Sequence, residues 1–188
     1  MKVLNIHGYH GSTNNAATRA LMSSAIDTVV GVQIDYDNRD PKVILDTLCA
    51  EFNENQCDAV VGTSLGGFYA MLISAKYAVP VVLINPATAP GILLPSLGYN
   101  RCSGVRGMKT LEYTYLKDLD LRLVSTIIGT DDEVIPELLR NYTKALLHNS
   151  RYYEIEGGKH SGSTLPLKQL FKEHRKEWFD DLCAKDFP

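Results

Sequence analysis

Short apolar runs alternate with longer segments of helical periodicity along most of the chain. Val3–Ile6 is a first apolar run, stopped by Gly8 and followed by Gly11, Ser12 and the polar "TNNAATR". Val29–Tyr36 reads as a second strand, closed by "DNRDP". Pro41 suits a helix start, and Val43, Ile44, Leu45, Leu48 and Phe52 give that helix an apolar stripe. Ala59–Gly62 forms a third strand, and the next helix opens at the glycines that follow and covers Phe68–Tyr77. Pro80 introduces "VVLIN", a strand without polar alternation, as expected for one buried on both faces. Leu123–Gly129 is the fifth strand, Pro136 opens a helix with Leu139, Tyr142, Ala145 and Leu146 on its stripe, and Arg151–Ile155 is the sixth strand. A last amphipathic helix carries Leu167, Leu170, Phe171, Trp178 and Leu182.

Strands separated by helices predict an α/β fold, a mainly parallel sheet of about six strands with helices on both faces. In such sheets the functional groups collect in loops at the carboxyl ends of the strands. One stretch resists the pattern. Thr88–Leu121, rich in Gly, Pro, Leu and Tyr, is too long for an ordinary connection and predicts at best one short helix near "TLEYTYLKDL". It reads as a small lid-like insertion, with Ile92, Leu93, Leu94, Leu97 and Tyr99 either covering the sheet's helices or roofing a cleft.

A length of 188 residues sets the expectation of one domain, 1–188, large enough for a substantial core. A net charge of −3 gives no general attraction to phosphate, so nucleic acid is a poor partner. Cys49, Cys57, Cys102 and Cys183 show no C-x-x-C pair and no metal-ligand grouping, so they read as reduced thiols of a cytoplasmic protein with no metal. "MKVLNIHGYHGS" lacks the apolar region of a secretory signal, and no stretch approaches the length of a membrane span, so no membrane association is expected.

"VVGTSLGGFYA" (Val60–Ala70) changes the picture, because it fits G-x-S-x-G between a strand and a helix. Glycines around Ser64 permit a sharp turn, and the helix that follows points its positive end at the serine. A serine at its free pKa is a poor nucleophile and needs a base. His160 follows the sixth strand in "EGGKH", on the functional edge, whereas His148 and His174 fall within amphipathic helices and read as structural. An acid must then fix the imidazole tautomer, and "GTDDEVIP" supplies Asp131 and Asp132 after the fifth strand. This segment resembles the G-x-x-D-x-V-x-P spacing usual in α/β-hydrolases, which implies Asp132 as the acid, with Asp131 as the neighbour that could bond turn N–H groups. The order Ser64, Asp132, His160 is that of the α/β-hydrolases. An oxyanion hole would draw on the backbone N–H of Leu65 and, from "HGYHGS", that of Tyr9. His7 reads as a satisfied residue that shapes this loop, and His10 is open between substrate contact and solvent exposure.

"HGYHGS", "GTSLGGFYA", "INPATAP", "GTDDEVIP" and "GGKH" together resemble the small YqiA/YcfP-type esterases of the α/β-hydrolase superfamily, over nearly the whole chain from Val3 to Trp178. The resemblance implies a compact fold lacking the superfamily's first two strands and a full cap domain. It implies hydrolysis of a small-molecule ester without a cofactor, with Ser64, Asp132 and His160 in the matching positions. "GYNRCSGVRGMK" matches nothing in that pattern and leaves the acyl and alcohol pockets open. A thioesterase or acyltransferase would use the same three side chains, because the acyl-enzyme does not record which leaving group made it. A non-catalytic binding protein on the same fold is the remaining alternative, and three intact groups argue against it. The oligomeric state is not readable from the chain.

Overall fold

The computed structural model describes residues 1–183. Six parallel strands form one sheet in the order β2-β1-β3-β4-β5-β6, with β1 at Lys2–Ile6, β2 at Thr28–Gly31, β3 at Ala59–Thr63, β4 at Val81–Ile84, β5 at Val124–Gly129 and β6 at Arg151–Ile155. Period-two alternation along the central strands divides their side chains between two cores. Leu4, Ile6, Val60, Val81 and Leu83 point to one face and Val3, Val61, Val82, Ile84 and Ile127 to the other. On the first face lie α2 (Pro41–Glu54), α3 (Leu65–Tyr77) and part of the segment after β4; on the second lie α1 (Ala16–Met22) and the C-terminal helices. Both faces are therefore covered, which explains why Val81–Ile84 has no polar position: every residue in it is buried.

Three expectations are corrected. The second strand ends at Gly31 and not at Tyr36: its pairing with β1 stops at Asn5 with Gly31, although β1 itself continues to Ile6. Beyond it the Ile34 N–H donates to the His7 imidazole instead of a strand carbonyl, while Ile34 and Tyr36 turn inward into the core. The polar stretch after β1 contains a helix, α1, because Asn15 caps it by accepting from the Thr18 N–H, and Ala17, Ala20 and Leu21 form a narrow buried stripe.

The third correction concerns Thr88–Leu121, which folds into α4 (Pro90–Ser96) and a long α5 (Cys102–Tyr115), followed by short 3₁₀ turns. Gly104 and Gly107 are poor helix formers, yet they are what lets α5 dock. A Cβ at Gly104 would come within 2.1 Å of the Tyr99 hydroxyl, and one at Gly107 would crowd Pro41. Met108 and Leu111 then bury toward α2 and α3.

The remaining helices follow the sequence closely. Helix α6 (Glu137–Leu146) starts directly after Pro136, and α7 (Leu167–Arg175) continues through a π turn at Lys176–Asp180 into α8 (Asp181–Cys183). Among the described residues no helix is long and apolar enough to cross a membrane. All four cysteines are free, and burial pushes the Cys57 and Cys183 thiols up to about 11, which leaves both as unreactive thiols.

Candidate active site

The chain runs outward from β1 to β2 and returns across β1 to β3, so the strand order reverses between β1 and β3. Loops leaving the carboxyl ends of two such strands diverge to opposite faces and open a crevice between them. Ser64 stands in that crevice, one residue beyond β3, with φ of 54°. This left-handed backbone is strained for a residue with a side chain, and the surroundings hold it there. The Ser64 N–H donates to the Ile84 carbonyl, and the Ser64 carbonyl accepts from the Gly67 and Ala87 N–H groups. Closure of the turn needs bare backbone on both sides. A Cβ at Gly62 would lie 2.4 Å from the Gly66 carbonyl oxygen, and one at Gly66 would lie 2.2 Å from that of Ile6.

His160 reaches the serine from the loop after β6. Its Nε2 lies 2.9 Å from Ser64 Oγ, and its Nδ1 lies 2.9 Å from Asp132 Oδ2 and 3.1 Å from Oδ1. The carboxylate requires the Nδ1–H tautomer, which leaves the Nε2 lone pair facing the serine hydroxyl. Asp132 Oδ1 also accepts from the Val134 and Ile135 N–H groups, at 2.9 and 2.8 Å. Burial pushes this carboxyl's pKa up, but the bonds from His160, Ile135 and Val134 outweigh that and hold it below the ordinary carboxylate value. Arg140 on α6 braces the same turn by donating to the carbonyls of Asp132 and Ile135. Asp131, the alternative acid, is exposed; among the described residues its side chain accepts only from the Thr130 hydroxyl at 3.3 Å, and its backbone N–H donates to the Gly158 carbonyl. The bonds to turn N–H groups considered for Asp131 thus belong to Asp132.

Asn85 is a residue the sequence analysis quoted in "INPATAP" without assigning it a task. It is fully buried, and its Nδ2 donates to the carbonyls of Lys159 and His160, each at 3.0 Å. Its Oδ1 accepts from the Gly129 N–H at 2.7 Å. One amide therefore ties the end of β4 to the end of β5 and to the histidine loop. An Asn directly after a fully apolar strand was the available signal, since a buried amide there must find partners among neighbouring strand ends.

On the other wall, Gly8 packs so closely on Ser64 that an added Cβ would fall 2.9 Å from the serine Cβ. Among the described residues, the backbone N–H groups of Tyr9 and Leu65 have no intramolecular acceptor. His7 lies buried beneath this loop. Its Nε2 accepts from the Ile34 N–H at 3.0 Å, so its Nδ1 carries the proton and donates to the Gly8 carbonyl at 2.8 Å. It shapes the loop, as the sequence suggests. His10 stacks on the Tyr9 ring, and both bond the Asp37 carboxylate.

Burial lowers the His7 pKa, and the bond to Gly8 only partly offsets this. The unfolded chain thus takes up a proton at His7 before the folded protein does. The stability contributed by the neutral form is complete above the ordinary value of 6.5 and is lost as pH falls through the folded value. His7→Phe has no such group, so the melting-temperature gap between wild type and variant should narrow from pH 7.5 to pH 5. A gap that stays constant or widens would contradict this account.

A cavity of about 400 Å³ opens over Ser64, lined by the β1 loop, α1, Thr63 and residues 160, 161 and 163. No residue of Thr88–Leu121 lines it, so the expectation that this segment roofs the cleft is not met. Leu93 packs against Ala87 and Ile135, Leu94 and Tyr99 sink into the larger core, and Ile92 and Leu97 face solvent. The segment reaches the site only indirectly, through an edge-on contact of Tyr99 with the Tyr9 ring and through Arg101, which donates to the carbonyl of Asp37, the partner of Tyr9 and His10.

The fold is that of the α/β-hydrolase superfamily. Within it, the chain belongs to the YqiA-type family described as "Uncharacterised protein family (UPF0227)", whose model matches residues 2–165. Solved structures with the same fold include Est1E from Butyrivibrio proteoclasticus with ferulic acid bound. It matches with a TM-score of 0.73 at 17% identity, over 98% of this chain and 90% of Est1E. A protein of the alpha/beta superfamily from Xanthomonas campestris pv. campestris matches with a TM-score of 0.67 at 19% identity, over 94% of this chain and 98% of its own. An S-formylglutathione hydrolase from Agrobacterium tumefaciens matches with a TM-score of 0.61 at 16% identity, over 96% and 84%.

Proposed function

We propose that the protein is a serine hydrolase that cleaves carboxylic esters of short acyl chains through an acyl-enzyme intermediate. The observation that carries this reading is the unbroken relay from Asp132 to His160 to Ser64, ending in a cavity open to substrate. Ser64 Oγ attacks the ester carbonyl carbon while His160 Nε2 takes the hydroxyl proton. The carbonyl oxygen gains the negative charge and is held by the N–H groups of Tyr9 and Leu65. The C–O bond to the alcohol breaks, and His160 returns the proton to the departing oxygen. Water then enters, gives a proton to His160 and attacks the acyl carbon. Collapse of the second tetrahedral species releases the carboxylic acid and restores the Ser64 hydroxyl. Asp132 stays ionised throughout and stabilises the imidazolium. None of these steps requires a cofactor.

A fluorophosphonate probe tests the reading. It should label Ser64 stoichiometrically and abolish hydrolysis of p-nitrophenyl butyrate in parallel. Good turnover with no labelling, or labelling at another residue, would overturn it.

Acyl preference follows from the walls. The cavity over Ser64 holds only about 400 Å³, and although most of its lining surface is apolar, Ser12, Asn15, Arg19, Ser161 and Ser163 place polar groups along it. A methylene that finds apolar contact gains about 0.8 kcal/mol, and one that lies over polar groups or water gains nothing. Over a series of p-nitrophenyl esters, kcat/KM should peak at roughly acetate to hexanoate and then fall. Efficiency that rises steadily to palmitate would sink this preference.

A further inference from the structure

Arg19 brings a positive charge to the cavity that holds Ser64. It stands in the last turn of α1, and its guanidinium donates to the Asn14 side chain and carbonyl, both neutral acceptors. Among the described residues no carboxylate pairs with it. Ala16, Arg19 and Ser163 also line a second hollow, which extends the cavity along α1 to Lys168. Neither hollow has an acidic residue in its lining, although the protein as a whole carries a net charge of −3. Two cations and several hydroxyls, with no carboxylate among them, make this groove a local exception to the overall charge. An unpaired guanidinium at the wall of a reaction cavity offers paired N–H donors that match a carboxylate or a phosphate.

The direction of the groove fixes which part of an ester would meet that charge. His160 must hand its proton to the departing oxygen, so the alcohol lies on the histidine side and the carbonyl oxygen on the Tyr9–Leu65 side. Ser161 and Ser163 lie one and three residues after His160 in the chain and line the same cavity as the histidine and Arg19. We infer that the preferred ester carries an anionic group, a carboxylate or a phosphate, on its leaving alcohol, seated against Arg19 and the Ser163 hydroxyl. This rests on the ester-hydrolysis reading above and adds to it the class of alcohol. The acyl part stays short and uncharged, and the released product is a small anionic alcohol.

The test is a set of esters matched in leaving-group reactivity: para-acetoxyphenylacetate, its neutral methyl ester and para-acetoxybenzylphosphonate. Phenyl hemiglutarate and its methyl ester place the charge on the acyl side instead. For wild type, kcat/KM for at least one of the two anionic alcohol esters should exceed that for the neutral ester by about tenfold at low salt, and the ratio should shrink as salt is added. The carboxylate and phosphonate arms identify which anion is recognised. In Arg19→Gln the ratio should fall close to one, and in Arg19→Lys part of it should return; a ratio cancels any general loss of activity. Turnover of the neutral ester with no charge preference, a preference that survives Arg19→Gln, or a preference confined to the hemiglutarate pair would each overturn the inference while leaving the hydrolase reading intact. No turnover of any ester, with Ser64 unlabelled by the fluorophosphonate, would overturn both.

Discussion

Ser64→Ala is expected to lower kcat for p-nitrophenyl butyrate on the order of 10⁶-fold and to abolish fluorophosphonate labelling. Among the described residues no other hydroxyl is paired with the His160 ring, whose Nε2 lies 2.9 Å from Ser64 Oγ. The fold should hardly respond. The hydroxyl borders an open cavity, so water replaces it as partner of the imidazole. The Cβ is retained, so neither packing against Gly8 nor the left-handed backbone at 54° changes. The melting temperature should move by no more than about 2 °C. Ser64→Gly separates the two properties further. Glycine accepts this backbone without strain, so this variant should be as inactive as Ser64→Ala and melt at a higher temperature than it. Retention of the wild-type rate in a folded Ser64→Ala protein would remove Ser64 as nucleophile.

Where the sequence is a good guide here, the physical requirement is local. A strand buried on both faces must be apolar throughout, as Val81–Ile84 is, and a nucleophile turn between strand and helix must be bracketed by glycine, as Gly62 and Gly66 bracket Ser64. The carboxylate that faces His160 is legible for the same reason: its place in the turn determines which one can accept the Val134 and Ile135 N–H groups, and that residue is Asp132. What the sequence hides depends on distant partners. The end of β2 is set by where its pairing with β1 stops and by the turn of the Ile34 N–H to the His7 imidazole, not by the apolar run that continues to Tyr36. Helix α5 depends on Tyr99 filling the space that Gly104 leaves open, which turns a poor helix former into a docking point. Asn85 is a similar case. Its three partners come from the end of β5 and from the loop after β6, far along the chain, so its amide looks ordinary until β4, β5 and β6 are side by side. The groove toward Arg19 was equally out of reach, because the helix that carries it has a stripe of only three buried residues, two of them alanine.

Asp132→Asn should reduce kcat about 10⁴-fold while leaving Ser64 in place, through a change of tautomer and not of geometry. The backbone N–H groups of Val134 and Ile135 need an acceptor, so the asparagine should keep its oxygen toward them. That turns its NH₂ group toward His160 Nδ1, which must then accept. The ring proton moves to Nε2, where it points at the serine oxygen, and the base that should receive the hydroxyl proton is already protonated. ¹⁵N shifts of the His160 ring should report this exchange directly, with the Nδ1–H form in wild type and the Nε2–H form in the variant. Asp131→Asn is the matched control. Its carboxylate is exposed and, among the described residues, accepts only a 3.3 Å bond from the Thr130 hydroxyl, so kcat should stay within about twofold of wild type. A larger loss at position 131 than at 132 would transfer the acid's role to Asp131. An unchanged Nδ1–H signal in Asp132→Asn would show that the carboxylate does not select the tautomer.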